Sequence, residues 1–313
     1  MSEQTVLSII GPTGSGKTAW AGKLVDKWCQ QGQPVTVISL DSRQVYRELT
    51  HISVAEWEWW QQQQKKYQTL LTVHNIADRS IWEEWSFGLL LAKSRQQLAQ
   101  ALAQERQVIA VGGTLVCHER LLVQSQDVTA VPPNDNIRFA AENMTVEQLQ
   151  AWLQKIDSAT WQQLNHSDRL NPRRLVRKIE IAIAGKTGQI PTSALLPRVR
   201  QRWLVPDYDR QQLEVKVKER VSERLRDKQV QTEVRQLLEV KSDLLADEKI
   251  VSRLPLGCTQ MIRYLTDEWT IEQAEKDWQR QEWQYAKKQL TWVKKLVFDH
   301  HADLVDKREI LAN

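Results

Sequence analysis

Residues 5–18 read Thr-Val-Leu-Ser-Ile-Ile-Gly-Pro-Thr-Gly-Ser-Gly-Lys-Thr. The first six are mostly apolar or β-branched, and a run of that length bounded by glycine reads as a buried strand. The remainder, Gly11-Pro12-Thr13-Gly14-Ser15-Gly16-Lys17-Thr18, matches G-x-x-x-x-G-K-[ST]. Thr18 to Cys29 then has helical spacing, with Trp20, Leu24 and Trp28 on one face. In a strand–loop–helix context the glycines let successive backbone N–H groups turn inward around phosphate oxygens, at the positive end of the helix. Lys17 supplies a point charge for the terminal phosphates, and the Thr18 hydroxyl is a ligand for Mg2+. A glycine turn that holds no ligand is the bland alternative.

Working outward, Val35 to Leu40 reads as a second buried strand closed by Asp41. Val108 to Val111 reads as a third, running into Gly112 and Gly113. The polar stretch between them, with QQQQKK at 61–66 and LLLAKSRQQLAQALAQ at 89–104, leans helical. Short apolar strands alternating with helices indicate βαβ units and a parallel sheet. Beyond Pro132-Pro133 the period is helical over about 140–190 and 209–295, with one strand expected near Trp203 to Val205. The expected fold class is α/β: a P-loop NTPase-like three-layer core with a parallel sheet, a mainly helical insertion and a helical C-terminal part. Residues 1–132 and 198–313 form the core in this reading, and 133–197 the insertion.

A P-loop specifies phosphate and not a reaction. ATPases and GTPases usually hold Mg2+ with an acidic residue at the end of a neighbouring strand, but Val108 to Thr114 (VIAVGGT) ends in glycines. The carboxylate in the right layer is Asp41, opening Asp41-Ser42-Arg43-Gln44-Val45-Tyr46. Ligands in open α/β sheets bind outside the carboxyl ends of the strands, so Asp41 should face the phosphate site. It reads either as a helix N-cap or, beside a P-loop, as a general base acting on a nucleophile. Group transfer is then favoured over nucleotide hydrolysis.

Composition sets the outer limits. Across 313 residues, 43 Lys+Arg against 39 Asp+Glu leave a net charge of +4, which makes no case for nucleic acid unless the positive charge is concentrated locally. No stretch approaches the roughly 18 consecutive apolar residues of a membrane span, so no membrane partner is expected. Cys29, Cys117 and Cys258 show neither CxxC nor framework spacing, which excludes a disulfide scaffold and suits a reducing cytoplasm. The start lacks the layout of a secretory leader. Glycine is scarce, at 11 residues, so the clusters at 11–16 and 112–113 stand out.

Three blocks in this order, GPTGSGKT, DSRQVYR (Asp41 to Arg47) and VGGT (Val111 to Thr114), resemble the tRNA dimethylallyltransferases of the IPP transferase family. NPRRLVRKIEIAIAGKTG (Asn171 to Gly188), PLGCTQMIRYLTDEWTIEQA (Pro255 to Ala274) and QYAKKQLTWVKK (Gln284 to Lys295) extend the likeness from residue 5 to about 295. The resemblance implies transfer of the dimethylallyl group of dimethylallyl diphosphate to N6 of an adenosine beside the tRNA anticodon. The enzyme would be a cytoplasmic monomer using Mg2+. The P-loop would hold the diphosphate and Asp41 would take the N6 proton. Asp41, Ser42, Arg43 and Gln44 would contact the flipped base and its neighbours, since a stacked base cannot present N6 to a buried carbon. Thr114 matches a position at the tRNA and the reaction centre. Arg138, in PPNDNIRF, aligns with a tRNA-contacting arginine after a one-residue gap.

Arg173-Arg174-Leu175-Val176-Arg177-Lys178 places four cations in six residues. Arg174, Arg177 and Lys178 share a helix face, while Leu175, Ile179 and Ala182 pack inward. By itself this is a solvated face; with the resemblance, Arg173, Arg174 and Arg177 become contacts to RNA phosphates. Lys287 and Lys288, with Lys294 and Lys295, form a second basic patch beside Tyr285 and Trp292, aromatics that suit core packing as well as base stacking.

The chain departs from the family pattern after Arg47. A glycine-rich stretch closing in Thr-Ala-Lys-Pro is replaced by ELTHISVAEWEWWQQ, Glu48 to Gln62. Cys117 stands in place of a tyrosine, and Trp283 in place of an arginine before QYAK. Trp57, Trp59 and Trp60 either line a prenyl pocket or divide between core and surface. Two rival readings remain. One is a P-loop small-molecule kinase, for which the sequence identifies no lid arginine; the other is an RNA-binding paralogue without catalysis.

Overall fold

In a computed structural model of the chain, residues 4–122, 131–190 and 199–306 are described. The boundary expected at 197/198 and residues 1–3 of the leader reading lie outside them. The chain divides into two compact units, Met1–Val123 with Leu196–Asn313, and Gln124–Leu195.

In chain order the first unit begins with β1 (Gln4–Ile9), α1 (Lys17–Gln30), β2 (Val35–Ser39), α2 (Trp57–Tyr67), β3 (Leu71–His74), α3 (Phe87–Ala103), β4 (Gln107–Val111) and α4 (Leu115–Arg120). The second unit holds α5 (Asp135–Ala141), α6 (Val146–Ile156), α7 (Ser158–Gln163), α8 (His166–Arg169) and α9 (Pro172–Lys186). The chain then returns to the first unit through β5 (Val199–Leu204), α10 (Arg210–Arg226), α11 (Lys228–Val240), α12 (Glu248–Val251), α13 (Cys258–Leu265) and α14 (Ile271–Asp299).

The five strands form one parallel sheet in the order β3-β2-β4-β1-β5. Side chains alternate between its two faces because the strand period is two. Val6, Ile38, Val108 and Ala110 face one core, with α3, α10, α11, α13 and α14. Leu7, Ile9, Val35, Val37, Ile109 and Val111 face the other, with α1 and α2. Burial on both faces is why these strands read as unbroken apolar runs. Full burial of a side chain such as Leu24 or Ile38 stabilises by roughly 1.5–3 kcal/mol.

Two local expectations need correction. No strand is expected between β2 and β4, yet Leu71–His74 forms β3 at the sheet edge. Only Leu71 of its four residues is buried, so it carries no readable period. In α1 the buried face runs through Ala21, Leu24, Val25 and Cys29, with Trp20 and Trp28 packed at its margins.

Register aligns the strand ends. Ile9 lies opposite Val111 and Leu204, and Ser39 opposite Val111. The segments leaving β1, β2 and β4 therefore emerge side by side: the P-loop, Asp41, and Gly112 to Thr114. In the second unit, Ile137, Leu149, Leu153, Leu175 and Ile179 make a separate small core. No helix among the described residues is long and apolar enough to cross a membrane.

Candidate active site

The P-loop folds as its glycines require. Gly14 and Gly16 take φ of +78° and +82°, the left-handed region that strains any residue with a Cβ. Gly16 then opens α1 with no capping side chain, so the first-turn N–H groups of α1 are left to meet an anion. The Ser15 hydroxyl is buried without a hydrogen-bond partner. Lys17 Nζ donates to the Pro12 carbonyl at 2.9 Å. Burial pulls the Lys17 pKa down to about 8; Asp41 and Glu56 oppose that fall and Arg220 adds to it.

At the ends of β2 and β4 the backbones touch. A Cβ on Gly112 would collide with the Leu40 carbonyl and stand 2.8 Å from the Asp41 nitrogen, so only glycine lets the two strand ends meet. Asp41 accepts from Arg43 N at 2.9 Å and from Gly113 N at 3.3 Å. No helix follows it, which removes the N-cap reading; two amides instead orient the carboxylate. The Ser42 amide donates to Thr114 Oγ1 at 3.1 Å, tying the loop after β2 to the loop after β4.

α14 closes this corner. Gln289 Oε1 accepts from Thr13 N at 2.8 Å, while Nε2 donates to the Gly113 carbonyl at 3.0 Å. Tyr285 OH donates to the same carbonyl at 3.3 Å, and its pKa stands well above the usual phenol range through burial, with Asp41 adding. Cys117 is pushed up to about 12 by burial and by Asp41, so it remains a neutral thiol. The structure thus gathers Gly11 to Thr18, Asp41, Ser42 and Thr114 around Gly113.

Two residues at this site escaped the sequence reading. Arg220, on α10, stands 3.6 Å from where a Gly14 Cβ would lie and acts on both Lys17 and Glu56. Its guanidinium thus lies against Gly14 of the glycine loop. Glu56, at the entrance to α2, lies within electrostatic reach of Lys17 and Arg220, and burial holds its carboxyl above the usual range. No local motif marks either residue; only the packing of α10 and α2 brings them in. Among the described residues no cluster of three or more His, Cys, Asp or Glu could hold a metal ion. The Thr18 side chain offers a hydroxyl oxygen, the donor type that a hard cation such as Mg2+ takes.

The segment that lacks the family's glycines is held by side chains. Glu233 of α11 accepts from the Thr50 hydroxyl, His51 N and Ile52 N at 3.1, 2.8 and 3.0 Å. Arg224 donates to the Ile52 carbonyl at 3.0 Å, stacks on Trp278 and pairs with Glu282. Gln44 Nε2 donates to the Val54 carbonyl at 2.9 Å, and Arg43 to the Ser252 carbonyl at 2.8 Å. Trp60 is buried in the sheet–α1 core and Trp57 and Trp59 pack against it, Trp59 lying over Gly22. Core packing accounts for all three indoles.

The cations expected to contact RNA have partners of their own in the structure. Within the second unit, Glu180 is buried and accepts from Arg138 Nε at 2.8 Å, Arg177 at 2.9 Å and Asn134 N at 3.0 Å. Arg177 also donates to the Val131 carbonyl at 2.7 Å. These two arginines therefore brace their own unit, a structural task that their spacing did not reveal. Arg174 pairs with Asp168, and Arg173 is exposed. Lys287 and Lys288 are exposed on α14.

The chain is similar to known proteins over most of its length. The chain is 26% identical over 298 residues to a tRNA dimethylallyltransferase of Chlorobaculum parvum, covering 94% of this chain and 91% of that one. It is 31% identical over 300 residues to the corresponding protein of Nitrobacter hamburgensis, covering 91% and 86%. The fold matches a eukaryotic dimethylallyltransferase acting on tRNA with a TM-score of 0.70, at 20% identity over 97% of this chain and 74% of that one. It also matches a tRNA isopentenylpyrophosphate transferase from Bacillus halodurans with a TM-score of 0.56, at 21% identity over 99% and 94%. The family model for IPP transferase matches residues 44–296, and the chain belongs to that family.

Proposed function

We propose that this chain transfers a dimethylallyl group from dimethylallyl diphosphate to N6 of an adenosine next to the tRNA anticodon. The observation that carries the reading is the meeting of the P-loop, Asp41 and Thr114 at Gly113, at the carboxyl ends of three adjacent strands. The diphosphate lies against the P-loop amides, Lys17 and Arg220. Thr18 would hold Mg2+, which offsets the charge on the leaving group when bound. Asp41, oriented by two amides, accepts a hydrogen bond from the N6 amine and takes its proton as nitrogen attacks the allylic carbon. The carbon–oxygen bond to the diphosphate breaks, and the electron pair leaves with that oxygen. Gln289 fixes the spacing between the phosphate loop and the loop that carries Thr114. Ser42, Arg43 and Gln44 border the acceptor base; Arg173, Arg174, Lys287 and Lys288 meet RNA phosphates, with Arg138 and Arg177 bracing the helical unit that presents them. Three free, buried cysteines suit a cytoplasmic setting.

The test is incubation with unmodified tRNA, labelled dimethylallyl diphosphate and Mg2+. Label enters tRNA with the wild type. Asp41→Ala lowers the rate about 100-fold or more while tRNA affinity changes little. No label with the wild type overturns the reading, and ATP-dependent phosphate transfer to a small molecule would replace it with the kinase.

A further inference from the structure

Tyr285 is divided between two environments. It stands on α14 one turn before Gln289, and its hydroxyl donates to the Gly113 carbonyl at 3.3 Å. The side chain is nevertheless 38% exposed, so its polar end is held inside while much of its ring meets solvent. Trp283, two residues earlier, packs instead against Leu213, Val217 and Leu290. The rest of the helix shows the same orientation: Ala286, Gln289 and Leu290 are buried, whereas Lys287, Lys288 and Thr291 are exposed. Lys288, at i+3, is a neighbour of Tyr285 on the helix surface. Core packing, one of the two uses open to this aromatic, accounts for the hydroxyl end only.

Gly113 ties that ring to Asp41. Its N–H donates to the Asp41 carboxylate at 3.3 Å, and its carbonyl accepts from Tyr285 and, at 3.0 Å, from Gln289. A Cβ on Gly113 would stand 3.0 Å from Asp41 Oδ2 and 3.6 Å from the Tyr285 hydroxyl, so both groups border one point. A base lying against the ring brings its edge to the carboxylate. An adenine taken out of its own stack loses its stacking contacts, and an aromatic face replaces them. An aliphatic allylic group gains only by burial, so a ring open to solvent suits a base better. Lys288 supplies positive charge for the phosphate of the nucleotide that carries the base. We propose that the exposed face of Tyr285 is the stacking platform for the acceptor adenine, and that its hydroxyl fixes the ring relative to Asp41 through Gly113. This rests on the reading of the chain as a transferase acting on tRNA.

A binding cycle tests this without an allylic substrate. Anticodon stem-loops with either adenosine or an abasic nucleotide at the acceptor position are titrated against the wild type, Tyr285→Leu and Tyr285→Phe. The wild type prefers the loop that carries adenine. Tyr285→Leu weakens binding of that loop about tenfold, within the range that base–aromatic stacking supplies, and leaves the abasic loop unchanged. Tyr285→Phe keeps the ring and with it the preference. It loses the bond to Gly113, so kcat on full tRNA falls while KM for tRNA is kept. A Tyr285→Leu protein that retains the full preference for adenine overturns the assignment. So does equal weakening of both loops, which makes Tyr285 a brace for Gly113. A wild type that binds the two loops alike also overturns it, because the acceptor base then adds no affinity. A wild type that binds neither loop sinks the tRNA reading itself, a separate result from the other three.

Discussion

Lys17 shows what a single side chain can report. Its ammonium is desolvated by burial, which brings the pKa to about 8. An anion in the loop favours the charged form, so binding raises that pKa and draws in a proton. The sign follows: affinity is full below pH 8 and falls as pH rises through it. Between pH 7 and pH 9 the dissociation constant of dimethylallyl diphosphate should rise about tenfold, as the charged fraction drops from roughly 0.9 to 0.1. Calorimetry across that range checks it, and a flat profile would mean that Lys17 stays charged throughout. Lys17 was legible in advance because its motif is contiguous. Arg220, which lies against Gly14, is one cation among many on α10 and has no local mark.

At the scale of elements, the segment from Glu48 to α2 is held by distant helices as well as by its own turns. Two of its amides and one hydroxyl end on Glu233, 181 to 183 residues away. Buried donors left without a partner cost about 1–3 kcal/mol each, part of which is returned when a desolvated carboxylate is removed. Glu233→Ala should therefore destabilise the protein by about 2–3 kcal/mol, read from urea unfolding. A loss under about 0.5 kcal/mol would show that water takes over the carboxylate's contacts. The residues of this segment could be read as a departure from the family, but not as a substitute anchor. Glycines hold a turn by local conformation; Glu233 holds it by packing of α11, which no sequence window contains.

At the scale of the whole molecule, the two compact units answer to different carboxylates. Glu180 carries the second unit, with two guanidinium groups and one amide converging on it. Both arginines keep partial exposure, so Glu180→Ala should cost about 2–3 kcal/mol, at the low end for a broken buried pair. Hydrogen exchange should show α5 and α9 losing protection while β1 and β2 keep theirs. Unchanged protection in α5 and α9 would remove Glu180 from that role. Four of the five strands, the glycine turn into α1 and the place of Asp41 after β2 were determined by the sequence alone, because each is a short contiguous signal: a buried run, a glycine pattern, an acid at a strand end. Tertiary structure alone decided the edge strand β3, the closure by Gln289 across 276 residues, the approach of Arg220 to Gly14, and the turning of Arg138 and Arg177 onto Glu180. These depend on which helix faces which strand end, and a side chain's partner is set by that packing and not by its neighbours in the chain.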